Sequence, residues 1–447
     1  MIKIISPPLF LIKGELNIGQ AMTCVYSDTL YRYYLLKNEE VHYSSMSYNT
    51  QGKPMEDLVS FNGNLSSYKE KCSETANILA QNMEETKLRI NILPSPEKYL
   101  DFSEESKEVS QSKFLDLFNK GFLIRDKRDF YLDVEKIIKT RDVFGILSKI
   151  KIQPENFRKT LEQLLHDLRN PLLLTKPRLF STPVPFYSCS NCSEIYLPRE
   201  IPSDPRVVSE KCPKCDKENK NDVNYTLDPL FDLSVQSYSL RPYDFPADIQ
   251  ICGRNMATRY IYYSLLTHAA IDNVPPFKKL VIHNILNDDS GKRMSNKNKN
   301  LININEIDKD IHGDAIRYAL FKAVSFKDET SNLSKIFFEE GQKAVYKVGN
   351  LKRFFKMHNV DFSEIPLNEQ VIKKYFELME GLELRKSFDF GQGYISELSK
   401  DIKFEHDSRD LGNFLQKAIR YKTAIFMIEP FMPEITKKSK EELNIKY

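Results

Sequence analysis

The chain has 447 residues, 28% of them charged and 41% hydrophobic, with a formal net charge of +3. That length accommodates two or three domains with a substantial core, and the balance of residue types excludes an intrinsically disordered chain. No apolar run approaches the roughly 20 residues of a membrane helix, and so small a charge neither demands nor opposes a nucleic-acid partner.

The opening stretch to Gly14 is interrupted by Pro7 and Pro8 and lacks a basic leader, so it does not read as a signal peptide. Ile2 to Ile5 reads as a buried strand, Gly14 to Gly19 as a turn, and Ala21 to Lys37 as an amphipathic helix. Strand, glycine turn and helix in that order set backbone N–H groups at a helix N-terminus, a ready anion site. The same pattern is also that of a plain glycine turn. Asn17 and Gln20 would offer amide donors there, and Gly14 and Gly19 would let a ligand approach the backbone.

Residues 60 to 180 are polar and mostly helical in pattern, with Phe157, Leu161, Leu164, Leu165 and Leu168 at helical spacing. Cys189-x2-Cys192 and Cys212-x2-Cys215 follow, and the seven cysteines of the chain fit a reducing compartment better than a disulfide framework. Two such knuckles supply four thiolates that can close on one structural zinc ion. Cys24, Cys72 and Cys252 read as core residues, and His268 and His283 as core or structural histidines.

From Ala247 the pattern alternates again: a strand at Ile249 to Ile251, a helix at Thr258 to Ala270 and a strand at Lys279 to Asn284. Residues 291 to 300 form a basic loop in which Lys292, Arg293, Lys297 and Lys299 surround Met294 and Ser295. Such a loop suits a clamp on a polyphosphate, whose transfer needs positive charge at oxygens that become more negative. It is equally the composition of a solvated turn. From about residue 331 onwards the chain reads as helical, and no internal repeat is present.

Taken in order, these segments resemble the class I aminoacyl-tRNA synthetases of the leucine, isoleucine, valine and methionine group. GELNIGQ (14–20) is similar to G-x-L-H-I-G-H, and GKRMSNKNKN (291–300) to G-x-K-M-S-K-S-x-G-N. NTQGKPME (49–56) resembles D-x-H-G-L-P-x-E, and LTKPRLFSTPVP (174–185) resembles I-S-R-Q-R-W-W-G-T-P-I-P. PFKKLVIHNIL (276–286) fits the strand before the lysine loop, and Gly313-Asp-Ala-Ile-Arg-Tyr the G-A-D-A-L-R-Y after it. Ile428-Glu-Pro-Phe-Met-Pro-Glu resembles L-L-x-P-F-x-P-H.

The resemblance implies an α/β, Rossmann-like catalytic domain in two halves (1–59 and 218–330), split by a connective insertion (60–217) with a zinc knuckle (186–217). An all-α, anticodon-binding-type bundle (331–447) follows. It implies ATP with Mg2+, structural Zn2+, an amino acid or related carboxylate, tRNA or another acyl acceptor as partners, no membrane, and the cytoplasm as location. Carried over residue by residue, Asn17, Gln20, Lys292, Arg293 and Lys297 would take the catalytic positions. Gly14, Gly19, Gly253, Asn255, Met294 and Ser295 would hold ATP, Pro8, Asn49 and Gln51 the amino acid, and Cys189, Cys192, Cys212 and Cys215 the zinc.

The departures share a direction. Asn17 and Gln20 replace histidines, Asn49 and Asn255 replace acids, Gln51 replaces a histidine and Asn296 a lysine, whereas Arg293 keeps a cationic position. Tyr131-Leu-Asp-Val passes to Ile152-Gln-Pro-Glu without room for an editing domain. The resemblance therefore implies an editing-free synthetase-like protein of altered or weakened adenylation activity. A catalytically inactive pseudo-synthetase binding tRNA, nucleotide or protein is the alternative, and a zinc-stabilised structural protein a third.

Overall fold

The computed structural model describes residues 3–6, 10–11, 15–49, 53–94, 97–100, 103–189, 191–197, 209–220, 225–238, 246–295, 297–324, 329–404 and 411–447. Pro8, Gly14, Gln51, Asn296 and the side chain of Asn49 lie outside the described residues.

The centre is a parallel sheet of seven strands: β1 (Lys3–Ser6), β2 (Phe10–Leu11), β3 (Val41–Asn49), β4 (Glu97–Leu100), β5 (Lys151–Gln153), β6 (Ala247–Gly253) and β7 (Phe277–His283). Their order is β2-β3-β1-β6-β7-β5, with β4 also paired to β3. Ile5 of β1 sits between Tyr43 of β3 and Ile249 of β6. The chain thus leaves β1 towards one edge and later returns to its other side, which makes β1/β6 a switch point. In open parallel sheets the crevice beyond the strand C-termini at such a point is the place for ligands. β6 and β7 are buried along most of their length, as strands covered on both faces require.

The first helix runs Ile18–Leu36 and buries residues on nearly every side, from Ile18 to Tyr34. Its start differs from the turn expected through Gly19. Gln20 completes a capping box with Asn17, so the helix begins before Gly19. Residues 60 to 180 form the helices Leu65–Arg89, Glu104–Asn119, Val134–Thr140, Val143–Ser148 and Phe157–Asp167 around a small antiparallel sheet. Phe114, Leu161 and Leu165 from this stretch share one core with Ile261, Leu265 and Leu280 of the central domain.

Beyond a short strand, Thr330–Asn332, come the helices Lys335–Met357, Glu369–Glu380, Leu384–Phe404, Leu411–Ile428 and Pro433–Leu443. They share a second core with the first helix through Tyr33, Tyr375, Phe388 and Phe431.

The joint between the central domain and this bundle is ionic. Arg317 and Asp28 pair at 2.7 Å with both side chains 0% exposed. Arg317 also donates to the carbonyls of Pro430 (2.7 Å) and Phe431 (2.8 Å), while Asp28 accepts from Arg32 (2.8 Å) and the Leu93 amide (2.9 Å). Asp314 accepts from the Ile435 amide at 2.8 Å, at the start of the last helix. The Gly313–Tyr318 and Ile428–Glu434 segments, far apart in sequence, therefore meet each other. A buried pair with its remaining lone pairs and protons satisfied tolerates no loss of one partner. None of the helices among the described residues is long and apolar enough to cross a membrane.

Candidate functional site

A cavity of about 470 Å³ opens at the switch point, lined by the first-helix N-terminus, the C-terminal ends of β6 and β7, and the basic loop. It brings together Asn17, Gly19, Gln20, Gly253, Asn255, Arg293, Met294 and Ser295 from segments spread over the sequence. Lys292 and Lys297 are exposed and are not among the lining residues.

At the helix end, Asn17 Oδ1 accepts from the Gln20 amide at 3.1 Å. In return, Gln20 Oε1 accepts from the Asn17 amide at 3.1 Å and from Asn17 Nδ2 at 2.6 Å. The two side chains expected to serve a ligand are thus engaged with each other as a capping box, a structural use of amides that contributes about 1 kcal/mol to the helix. Neither carries a proton that titrates near neutral pH.

The basic loop is a closed turn organised by Asp288. Its Oδ1 accepts from the Ser290 amide (3.0 Å), the Ser290 hydroxyl (2.6 Å) and the Lys292 amide (3.0 Å), and its Oδ2 from Asn300 (2.6 Å). Hydrogen bonds from Ser290 and Asn300 pull this carboxyl down to about 2, so it is ionised at neutral pH. Asn298 Nδ2 donates to the Arg293 carbonyl at 2.7 Å, Asn300 Oδ1 accepts from the Ser295 amide at 3.1 Å, and the Met294 amide donates to Leu286 at 3.0 Å. Met294 is thereby tucked to 8% exposure while Arg293 stays open to solvent. Gly291 supplies a φ of +79° for the turn. Lys299 has a φ of +55° at the second glycine position of the G-x-K-M-S-K-S-x-G-N pattern, a left-handed conformation that costs a lysine about 1 kcal/mol.

Gly253 forms the floor. A Cβ there would lie 2.9 Å from Asn255 Oδ1 and 3.0 Å from His283 Cε1, so any side chain would displace the wall of the cavity. His283, read from sequence as structural, lines the cavity beside it. Its Nδ1 is 3.1 Å from the Asn284 carbonyl, which only accepts, so Nδ1 carries the proton and Nε2 accepts from the Thr23 hydroxyl at 2.6 Å. Burial pushes its pKa down to about 4, which keeps it neutral. Sequence reasoning missed Thr23, Met256, Asn284 and Leu301 as lining residues, because helical or loop context alone does not reveal which face meets a cavity.

The four knuckle cysteines assemble away from this cavity. Cys189 and Cys215 Sγ are 3.5 Å apart, Cys192 and Cys212 Sγ 3.6 Å, and all four sulfurs lie within 4.8 Å of one another. Tetrahedral zinc with Zn–S bonds of about 2.3 Å requires sulfur separations of about 3.8 Å, so the set fits. Both knuckles fold alike. The residue after each second cysteine's loop, Ser193 and Asp216, takes a left-handed φ (+59° and +54°), and each first cysteine's carbonyl accepts its amide at 2.9 Å. Lys214 and Glu194 pair at 2.8 Å across the two. Cys24, Cys72 and Cys252 are buried in the protein interior instead.

Residues 127–332 match the family described as tRNA synthetases class I (I, L, M and V). Among curated proteins, the chain is 22% identical over 273 residues to the valine–tRNA ligase of Methanopyrus kandleri, covering 57% of this chain and 29% of that one. It is 24% identical over 379 residues to the valine–tRNA ligase of Sulfolobus acidocaldarius, covering 73% of this chain and 45% of that one. The chain thus spans less than half the length of these ligases. Among solved structures, the agnB2 LeuRS of Agrobacterium radiobacter K84, in a ternary complex with tRNA and LeuAMS, superposes with a TM-score of 0.72 at 14% identity, covering 100% of this chain and 85% of that one. The methionyl-tRNA synthetase of Mycobacterium tuberculosis, bound by methionyl-adenylate, gives 0.69 at 10% identity, covering 98% and 93%. These likenesses establish the fold.

Proposed function

We infer the function from a premise: the chain belongs to the class I aminoacyl-tRNA synthetases of the isoleucine, leucine, methionine and valine group. It binds ATP in the switch-point cavity and uses it to activate an amino acid or related carboxylate as an adenylate. The acyl group then passes to tRNA or another acceptor. The observation that carries this reading is the convergence of the first-helix N-terminus, Gly253, Asn255 and Arg293 to Ser295 on one cavity.

In this reading Gly19, Gly253, Asn255, Met294 and Ser295 hold the adenosine, with Met294 as its apolar contact. Arg293 supplies positive charge to the phosphates, and Lys292 and Lys297 reach them only if the loop moves. Among the described residues no carboxylate lines the cavity, and Mg2+ would arrive with the triphosphate. Amide N–H groups of the first helical turn add an anion-favouring field. Gly14, Pro8, Asn49 and Gln51 keep the ATP and amino-acid roles that the resemblance gives them. With neutral amides at 17, 20, 49 and 255, turnover is slow, since one lost transition-state donor typically costs about 3 kcal/mol.

Two short helices, Val134–Thr140 and Val143–Ser148, fill the stretch between Tyr131 and Ile152, and we place no editing domain there. The domain limits given above are retained as a proposal. Zinc in the knuckle supports the fold around residues 186–217 without chemistry, and the cytoplasm, a reducing compartment, suits four thiolates. About one zinc per chain by elemental analysis is the expected content, and none would refute the assignment.

One observation favours a second reading, a binding module without turnover: the Asn17–Gln20 capping box, which engages both residues at the catalytic positions. ATP–pyrophosphate exchange across a panel of amino acids separates the two. Slow exchange with one acid supports activation. Saturable ATP or tRNA binding without exchange for any acid would transfer the case to the second reading.

A further inference from the structure

A second cavity, of about 590 Å³, adjoins the first and shares Asn255, Met256, Ile285 and Arg293 with it. Its character differs. Arg254, Arg259 and Arg293 line it together with, among the described residues, a single carboxylate, Glu329. That carboxylate is paired with Arg254, whose guanidinium also lies 5.0 Å from the centre of the Phe157 ring. Arg259 and Arg293 have no hydrogen bond or ion pair from their side chains among the described residues, and both are exposed. Two uncompensated guanidinium groups therefore border one recess.

The backbone around Arg259 is also irregular. The helical segment after β6 contains a π turn over Ala257–Ile261, and its Thr258 and Arg259 line the second cavity. Such turns are rare and occur often at functional sites. Between the two cavities stands Asn255, a neutral amide just beyond the C-terminus of a central parallel strand. In nucleotide-binding sheets an acid near a strand end receives ribose hydroxyls, whereas a nearby arginine admits a ribose phosphate in its place. A carboxylate would repel that phosphate; an amide flanked by arginines does not.

We propose that this arginine-lined cavity is a phosphate subsite for the ribose of the bound adenosine nucleotide, so that the protein prefers an adenosine phosphorylated on its 2′- or 3′-oxygen. The proposal rests on adenosine occupying the first cavity, as in the function inferred above. Arg259 is the guanidinium donor to that phosphate and Thr258 offers a hydroxyl, while Arg293, shared by the two cavities, stays with the 5′-phosphates. The 5′-phosphates stay in the first cavity, near the N-terminus of the first helix.

Calorimetric titration of the full chain with AMP, ATP, adenosine 3′,5′-bisphosphate and adenosine 2′,5′-bisphosphate tests this. One of the bisphosphates should bind about ten- to hundredfold more tightly than AMP, the effect of one or two charge-assisted contacts. Arg259→Ala should erase that advantage while leaving AMP affinity and the unfolding midpoint unchanged, and Arg259→Lys should restore part of it. AMP binding with no bisphosphate advantage, or an advantage that survives Arg259→Ala, would overturn the proposal and leave the function inferred above intact. An ATP-over-AMP advantage lost in Arg259→Ala, without one for either bisphosphate, would assign the cavity to the polyphosphate tail and overturn it too. Absence of binding by all four nucleotides would sink both the subsite and the nucleotide function.

Discussion

The first helix meets two different environments along its length. At its N-terminus, beside the cavity, Asn17 and Gln20 are neutral amides bonded to each other. Further along, the carboxylate of Asp28 is locked to Arg317 and Arg32. Asn17, Gln20 and Arg317 all lie in segments that resemble the same family, yet the place of Arg317 is ionic and that of Asn17 and Gln20 is neutral. Removing a partner from a fully buried pair destabilises the whole chain, whereas replacing a cavity residue by an amide that caps the helix costs the fold nothing. The constraint of folding and the constraint of chemistry therefore act at separate places along one element. The architecture is held where its charges are buried, while the helix end beside the cavity carries the neutral amides of Asn17 and Gln20.

Three substitutions probe this division along the helix and its surroundings. The largest effect is expected at the joint. Arg317→Met leaves Asp28 without its main buried partner and should lower the stability by about 3–5 kcal/mol in urea unfolding. Adding Asp28→Asn should recover a large part of the loss. A single variant within 1 kcal/mol of the parent, on the order of an ordinary surface change, would show that the joint is not ionic in effect.

The next effect is at His283. Its native value of about 4 lies below the ordinary 6.5, so the unfolded chain takes up this proton first as pH falls. The stability that neutral His283 contributes is whole above about pH 6.5 and lost between about 6.5 and 4, roughly 3 kcal/mol in all. Parent and His283→Gln unfolding curves over that window should diverge accordingly; parallel pH profiles would contradict a neutral, buried imidazole. The smallest effect is at the cap: Asn17→Ala should cost about 1 kcal/mol, and Asn17→Ser less. A loss of nucleotide affinity without any loss of stability would instead make Asn17 a ligand contact.

Much of this was legible in the sequence, for physical reasons that vary by region. The parallel core strands are apolar runs such as Leu280-Val-Ile282, which periodicity detects directly. The cysteine knuckles declare themselves by spacing, and the structure brings their four sulfurs together. The cavity members Gly253, Asn255, Arg293, Met294 and Ser295 were legible only through motif resemblance, because nothing in their local composition distinguishes a phosphate loop from a solvated turn. What stayed hidden was tertiary. That Asn17 and Gln20 would satisfy each other depends on where the helix starts, and a Gly-Gln pair gives no sign that it lies inside one. Asp288, Asn298 and Asn300, which hold the basic loop closed, look like ordinary turn residues. Likewise, no window containing Arg317 can show that Pro430 and Phe431 will supply its acceptors.

The function proposed above requires that the cavity bind ATP although, among the described residues, Arg293 and a neutral histidine are the ionisable groups that line it. Calorimetric titration of ATP into the parent chain and Arg293→Ala tests it most directly. Saturable one-to-one binding, weakened about tenfold or more in the variant as loss of a charge-assisted contact predicts, is the expected result. No saturable binding to the parent, or equal affinity in both, would contradict it.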